Sequence, residues 1–251
     1  DAYNIAIGYN TGAQVTTGKQ NTLIGGLAGD ALTSSAVNVA VGYAALTTDT
    51  LGTRSTALGY ATLFSQNFAT LTNSDNVAIG YNASTSTTTG IENVIIGAQA
   101  GDALTDADYN VAVGKSALGA DTLGSRSTAI GYGALTLQNF TTATDTYNTA
   151  VGYQAGLAVT TGTVNTFVGA LSGDALTVGH HNTAVGMQAL TTDTQGSNSI
   201  AIGSFALNSQ NFTTATDSYN TAVGYNAGTA VTTGTKNTLI GSSAGDALTD
   251  A

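Results

Sequence analysis

The sequence predicts an all-β fold, a parallel β-solenoid, and three observations carry that prediction. A short motif returns at a fixed spacing along the whole chain, its residues alternate with period two, and a glycine closes it every time. "NTAVGYQAG" at 148–156 comes back as "NTAVGYNAG" at 220–228, and close variants stand at 4–12 and 76–84.

The glycine that follows each apolar pair serves as a marker. It falls at Gly8, Gly25, Gly42, Gly59, Gly80 and so on to Gly241, fourteen times, with spacings of 17, 17, 17 and 21 that then begin again. Four units make a set of 72 residues. A short period held over a whole chain is how a solenoid is written. We therefore expect a single repeat domain over residues 1–251, with fourteen turns of about one strand and its corners each.

Each column of the repeat has a structural reason. The residue before the marker is always Val, Ile or Leu, and three before it stands Thr, Val or Ile. Two before is Ala in ten units; four before is Asn in eleven and Ser (Ser55, Ser127, Ser199) in three. Alternation with β-branched columns favours strand, and glycine in every unit disfavours helix. Parity puts Asn, Ala and the marker Gly on one face. The Thr/Val column, the Val/Ile column and the residue after Gly share the other. Stacked Asn side chains can hydrogen-bond along a ladder in a dry interior, so the small face is expected inside and the bulky face outside. Fourteen turns of outward Val and Ile form a patch too large to leave in water, and other copies of the same chain are the simplest cover.

Two units of each set depart from the rest. The fourth carries an insert: "SQNFATLTNSD" at 65–75, "LQNFTTATDTY" at 137–147 and "SQNFTTATDSY" at 209–219, with Phe68, Phe140 and Phe212 in register. Its four extra residues are expected to bulge outward as a loop. In the second unit Leu23, Ile95, Phe167 and Leu239 replace the inner Ala, which suggests a local widening of the coil.

Composition narrows the function classes. Charged residues are only 8% of the chain, net charge is −10, and the five cations (Lys19, Arg54, Lys115, Arg126, Lys236) are scattered, which argues against nucleic acid and anionic membranes. No apolar run approaches the ~18 residues of a membrane-spanning helix, and no signal-peptide pattern opens the chain. There is no cysteine, hence no disulfide or thiolate–metal framework. The first residue is Asp and neither end carries a polar cap, so a segment of a longer fibre is expected.

At the level of motifs, "NSIAIG" at 198–203, "RSTALG" at 54–59 and "RSTAIG" at 126–131 resemble the head repeats of YadA-type trimeric autotransporter adhesins. The "NTAVGYQAG" arrays are similar to stretches of phage tail-fibre proteins. The resemblance covers the chain unit by unit. It implies a left-handed parallel β-roll, association of three chains, branched apolar residues facing the trimer interior, and an extracellular, cell-surface or virion location.

Catalysis needs a unique constellation, and here almost every polar residue is repeated, so no enzyme activity, cofactor or metal is expected. His180 and His181 occupy a turn where other copies have Ala36–Val37 and Asp108–Tyr109, and read as a drifted surface turn. The "GDALT" aspartates (Asp30, Asp102, Asp174, Asp246) offer one carboxylate per turn, too few for calcium; each is expected to bond its own turn backbone. Asp49 with Arg54, and Asp121 with Arg126, are expected to pair across exposed turns.

Tyrosine placement is sharper. Tyr9, Tyr43, Tyr60, Tyr81, Tyr132, Tyr153 and Tyr225 follow the marker Gly, and Tyr3, Tyr109, Tyr147 and Tyr219 precede the Asn. The first column suits an inter-chain seam, where the ring is buried and the hydroxyl stays wet; the alternative is a row that stacks sugar rings. The functional expectation is the shaft of a trimeric extracellular fibre used in adhesion or host attachment, with a cell-surface glycan or receptor bound by a tip outside this segment. A self-assembling filament without a tip and an ice-binding solenoid are the alternatives, although the Thr runs at 47–50 and 160–163 change from turn to turn.

Overall fold

A computed structural model describes residues 2–250, and among them it is all β, with no helix. The fold is a parallel β-solenoid, about 17 residues to the turn, in two compact units: Asp1–Arg126 with Thr141–Thr144, and Ser127–Phe140 with Asp145–Ala251. The first unit contains seven turns, whose three-residue strands run from Ile5–Ile7 and Thr22–Ile24 to Val94–Ile96 and Val111–Val113. The second contains seven more, from Thr128–Ile130 to Thr238–Ile240. Within each unit the strands pair in parallel and in register with the repeat: Ile5 lies beside Thr22, and Thr149 beside Thr166. The middle residue of almost every strand is buried and its two neighbours point outward, as the parity of the sequence predicts.

Three residues of strand in a 17-residue turn would leave most backbone groups unpaired. The turn-to-turn ladder instead continues around the coil. Leu27 N–H donates to the Tyr9 carbonyl at 2.9 Å, Gly29 N–H to Ala45 at 2.9 Å, and Thr33 N–H to Thr50 at 3.0 Å. These bonds hold corners that are unfavourable by themselves. Three positions in every turn have φ between 47° and 66°: the second and fourth residues after the marker, and the residue before the Asn column. Thirty-four of them are not glycine, and they include the β-branched Val37 and Val164. A left-handed residue costs about 1–2 kcal/mol, so the corners persist because the ladder fixes them from both sides.

The marker glycine is explained by contact. Gly42 has φ +139°, and a Cβ there would lie 2.1 Å from the carbonyl oxygen of Gly59, the next marker. Gly8, Gly25 and Gly59 repeat this against the markers that follow them, at 2.3–2.6 Å, as do Gly131 and Gly152 in the second unit, at 2.2 and 2.5 Å.

Glycine corners make room for the large inner residues Leu23 and Phe167. Gly12 and Gly29 abut Leu23, and Gly156 and Gly173 abut Phe167, where a Cβ would come within 2.9 Å of the large side chain. In six of the ten turns whose strand centre is Ala, the same corner position holds a fully buried leucine instead: Leu46, Leu63, Leu118, Leu135, Leu190 and Leu207. Two ways of filling the interior recur. Either a strand residue reaches between two glycine corners, or a corner leucine reaches over a strand alanine.

The Asn ladder runs mainly from side chain to backbone, with amide-to-amide bonds at some turns, as where Asn93 Nδ2 donates to Asn76 Oδ1 at 3.3 Å and Asn237 Nδ2 to Asn220 Oδ1 at 3.1 Å. Asn21 Oδ1 accepts the backbone N–H of Asn38 at 3.0 Å, and Asn21 Nδ2 donates to the Ser35 carbonyl at 2.9 Å. Asn165 repeats both bonds with Asn182 and Gly179 at 2.9 Å. The inserts follow a related logic and are only partly loops. Ala69, Thr70 and Leu71 are exposed, but Phe68 and Gln66 are buried, and Thr72–Asn73 pairs as a short strand with Gly52–Thr53.

Two outcomes follow. Gly42→Ala should destabilise by more than ~2 kcal/mol through strain and overlap. Gly241→Ala, where the nearest atom to an added Cβ is Ala244 Cβ at 3.9 Å, should lose markedly less in urea unfolding. Phe167→Ala should cost ~3–5 kcal/mol, and adding Gly173→Leu should recover part of that loss by switching the turn to the other filling; melting midpoints of the single and double variants check it.

Candidate interaction face

The outward face of each unit is built by the strand residues on either side of the buried centre. In all fourteen turns these two positions carry only Thr, Val, Ile or Leu. Ile5, Ile7, Leu58, Ile130, Ile200 and Ile202 are among the exposed ones. No charge interrupts these two columns; the charged residues of neighbouring columns sit at the corner before the Asn (Arg54, Asp75, Glu92, Arg126 and Lys236) and, once, after the marker glycine (Lys115). The face therefore has an uncharged centre and a charged margin.

The opposite margin is the tyrosine column. Tyr43, Tyr60 and Tyr81 stack on successive turns with ring centroids 5.6 and 5.3 Å apart and planes 16° and 14° from parallel. Tyr132 and Tyr153 stack at 5.6 Å and 11°. Tyr225 meets Phe205 edge to face at 6.2 Å, and Tyr9 is the most exposed of the column at 77%. The structure thus gathers five of the seven tyrosines into two stacks, one in each unit, with ring faces turned toward one another along the coil. The other tyrosine column lies at the left-handed corner. There Arg126 lies 4.6 Å over the Tyr109 ring, and the Tyr147 and Tyr219 hydroxyls reach Asp145 and Asp217 at 3.3 and 3.5 Å.

The acidic residues depart from the sequence expectation. Asp49 does not form an exposed pair with Arg54. It is fully buried and accepts Gly52 N–H at 2.9 Å and Gln66 Nε2 at 2.7 Å, while Arg54 approaches Asp75 at 3.9 Å. Gln66 also donates to Ser55 Oγ at 2.9 Å and accepts Asn76 Nδ2 at 2.9 Å. The glutamine of the insert therefore fills the gap left where Ser replaces Asn in the ladder. Asp193, Gln210, Ser199 and Asn220 form the same cluster in the second unit. Asp121 is likewise buried, with Gly124 N–H at 3.0 Å. Burial pushes the carboxyls of Asp49 and Asp193 above the ordinary range, and the Gln and backbone N–H bonds oppose that rise. Sequence reasoning missed this cluster, although the exchange of Asn for Ser in every turn that carries "QNF" was its signal.

Two of the "GDALT" aspartates bond beyond their own turn. Asp30 and Asp174 each accept a threonine hydroxyl from one turn on, Thr47 and Thr191. Among the described residues no three His, Cys, Asp or Glu side chains gather as a metal site would require, and no buried side-chain nitrogen or oxygen lacks a partner.

His180 does more than mark a drifted turn. Its Nδ1 accepts the Thr163 N–H at 3.0 Å, and its own N–H donates to Ser197 Oγ at 3.0 Å. Asp108 holds the equivalent bonds, accepting Ile91 N–H at 2.8 Å and donating to Ser125 Oγ at 3.0 Å. Histidine and aspartate thus serve one backbone N–H in two copies. Desolvation lowers the His180 pKa and His181 adds to this, while Asp217 opposes it.

Compared with known protein families, curated proteins and solved structures, the chain matches none.

A depressed histidine pKa means that the unfolded chain takes up the proton first. Stability held by His180 is complete above 6.5 and falls as pH drops from 6.5 to the lower folded value. His180→Asp keeps an acceptor for Thr163 N–H and should remove that fall, which parallel pH series of melting midpoints for the two proteins would show.

Proposed function

We propose that this chain is a shaft segment of an extracellular trimeric fibre whose repeats set the distance between a base and an adhesive tip. The observation that carries the reading is the uncharged pair of outward strand columns, repeated in every turn, with an exposed tyrosine beside it in seven of the fourteen. A face of that kind in water favours association. Copies of the same chain are the natural cover, because every turn offers the next copy the same surface. Low charge and the absence of proline fit closely stacked chains rather than a flexible linker. The spacer role rests on uniformity: each 72-residue set adds length and leaves the cross-section unchanged.

A second reading, an ice-binding face, has one observation in its favour. Thr128, Thr149, Thr166 and Thr183 stand in register on four consecutive strands. Thermal hysteresis of the segment would support it, and the Val and Ile that replace Thr at Val39, Val77, Val94, Val111 and Ile200 weigh against it.

Sedimentation should give a trimer, and Val151→Asp with Val223→Asp should dissociate it, since each would bury an unpaired charge; a stable monomer of the unaltered chain would sink the association. Removing one 72-residue set should shorten the fibre by ~19 Å and leave attachment intact. Loss of attachment from a still-folded fibre would move receptor binding onto the shaft.

A further inference from the structure

We propose that the tyrosine stacks are oxidative cross-linking sites, at which a one-electron oxidant of the peroxidase class joins rings on successive turns as dityrosine. Parallel strands in register put like side chains side by side, so neighbouring rings are related by little more than a translation along the coil. The interplanar angles of 11–16° make this explicit. The ring centroids lie 5.3–5.6 Å apart, so ortho carbons of neighbouring rings come within reach of each other. Each ring is about half exposed, from 49% at Tyr60 and Tyr132 to 55% at Tyr81. An oxidant can reach the phenols, and modest rotation of each side chain closes the gap.

The chemistry balances. Each phenol gives up an electron and its hydroxyl proton, leaving a phenoxyl radical with spin density on the ortho carbons. Two radicals form one carbon–carbon bond. The hydrogens on the joined carbons then leave as protons while the two hydroxyls are restored. Hydrogen peroxide takes the two electrons and two protons, so two tyrosines and one peroxide give one dityrosine and two waters. The bond would close a loop of 17 residues between Tyr43 and Tyr60, or of 21 between Tyr60 and Tyr81 and between Tyr132 and Tyr153. Such loops constrain the unwound chain as a disulfide does, in a protein with no cysteine to make one.

The same column contains its own controls. After Tyr9 the next turn offers Gly26, and after Tyr225 it offers Ser242, so neither has a tyrosine to join on the following turn. Phe205 meets Tyr225 at 89° and has no phenol to oxidise.

The test uses the intact chain at low concentration with a haem peroxidase and hydrogen peroxide, read by dityrosine fluorescence and by mass-spectrometric mapping of linked peptides. Links Tyr43–Tyr60, Tyr60–Tyr81 and Tyr132–Tyr153 are expected, with a melting midpoint raised by several degrees. Tyr60→Phe should abolish the first two links and leave the third. Adding Tyr132→Phe should abolish the signal. Phenylalanine keeps the ring, so an unchanged melting profile before oxidation shows that both variants fold. No dityrosine in the unaltered chain, undiminished dityrosine in the double variant, or links that map mainly to Tyr9 and Tyr225 would each overturn the proposal.

Discussion

In each unit, the carbonyl oxygen of one marker glycine occupies the place where a Cβ on the preceding marker would be. That backbone contact keeps successive turns close where the chain leaves each strand. It brings the strands into parallel pairing, stacks the asparagines, and lets the ladder continue around corners that contain three left-handed residues per turn. The strain at those corners is distributed along the chain, and so are the bonds that oppose it. Stability in such a coil is local and nearest-neighbour in character.

The interior shows how a narrow coil tolerates variety. Packing constrains volume, not which column supplies it. A phenylalanine between two glycines and an alanine beneath a leucine satisfy the same space. The polar side follows the same rule. Where Asn becomes Ser, the insert supplies a buried glutamine that meets a buried aspartate seventeen residues earlier, with the donors and acceptors of Asp49, Gln66, Ser55 and Asn76 joined end to end. His180 and Asp108 are a third instance, two side chains serving one kind of backbone N–H. Repetition thus preserves roles more strictly than residues.

The outward face obeys a different constraint. Side chains there are not needed to fill the coil, yet the two strand columns remain free of charge in every turn. Self-association gives a physical reason for that restriction. Parallel register also turns a column of tyrosines into stacks, and the proposed cross-links rest on that geometry.

The sequence by itself determined the strand class, the period, the turn count and which face points inward, because these follow from alternation and spacing along the chain. Ala40, Val41 and Gly42 declare their orientations without reference to any neighbour. What only the tertiary structure decided are contacts between residues on different turns or on different sides of one turn. Asp49 looked like a partner for nearby Arg54, but it is buried against Gln66, seventeen residues on. Leu23 looked too large for its column until Gly12 and Gly29 came beside it. The stacking of Tyr43, Tyr60 and Tyr81 was visible as a column, whereas the angle between their rings was not. Pattern fixes direction, but partners depend on which atoms meet when the coil closes, and that distance is not written in any one turn.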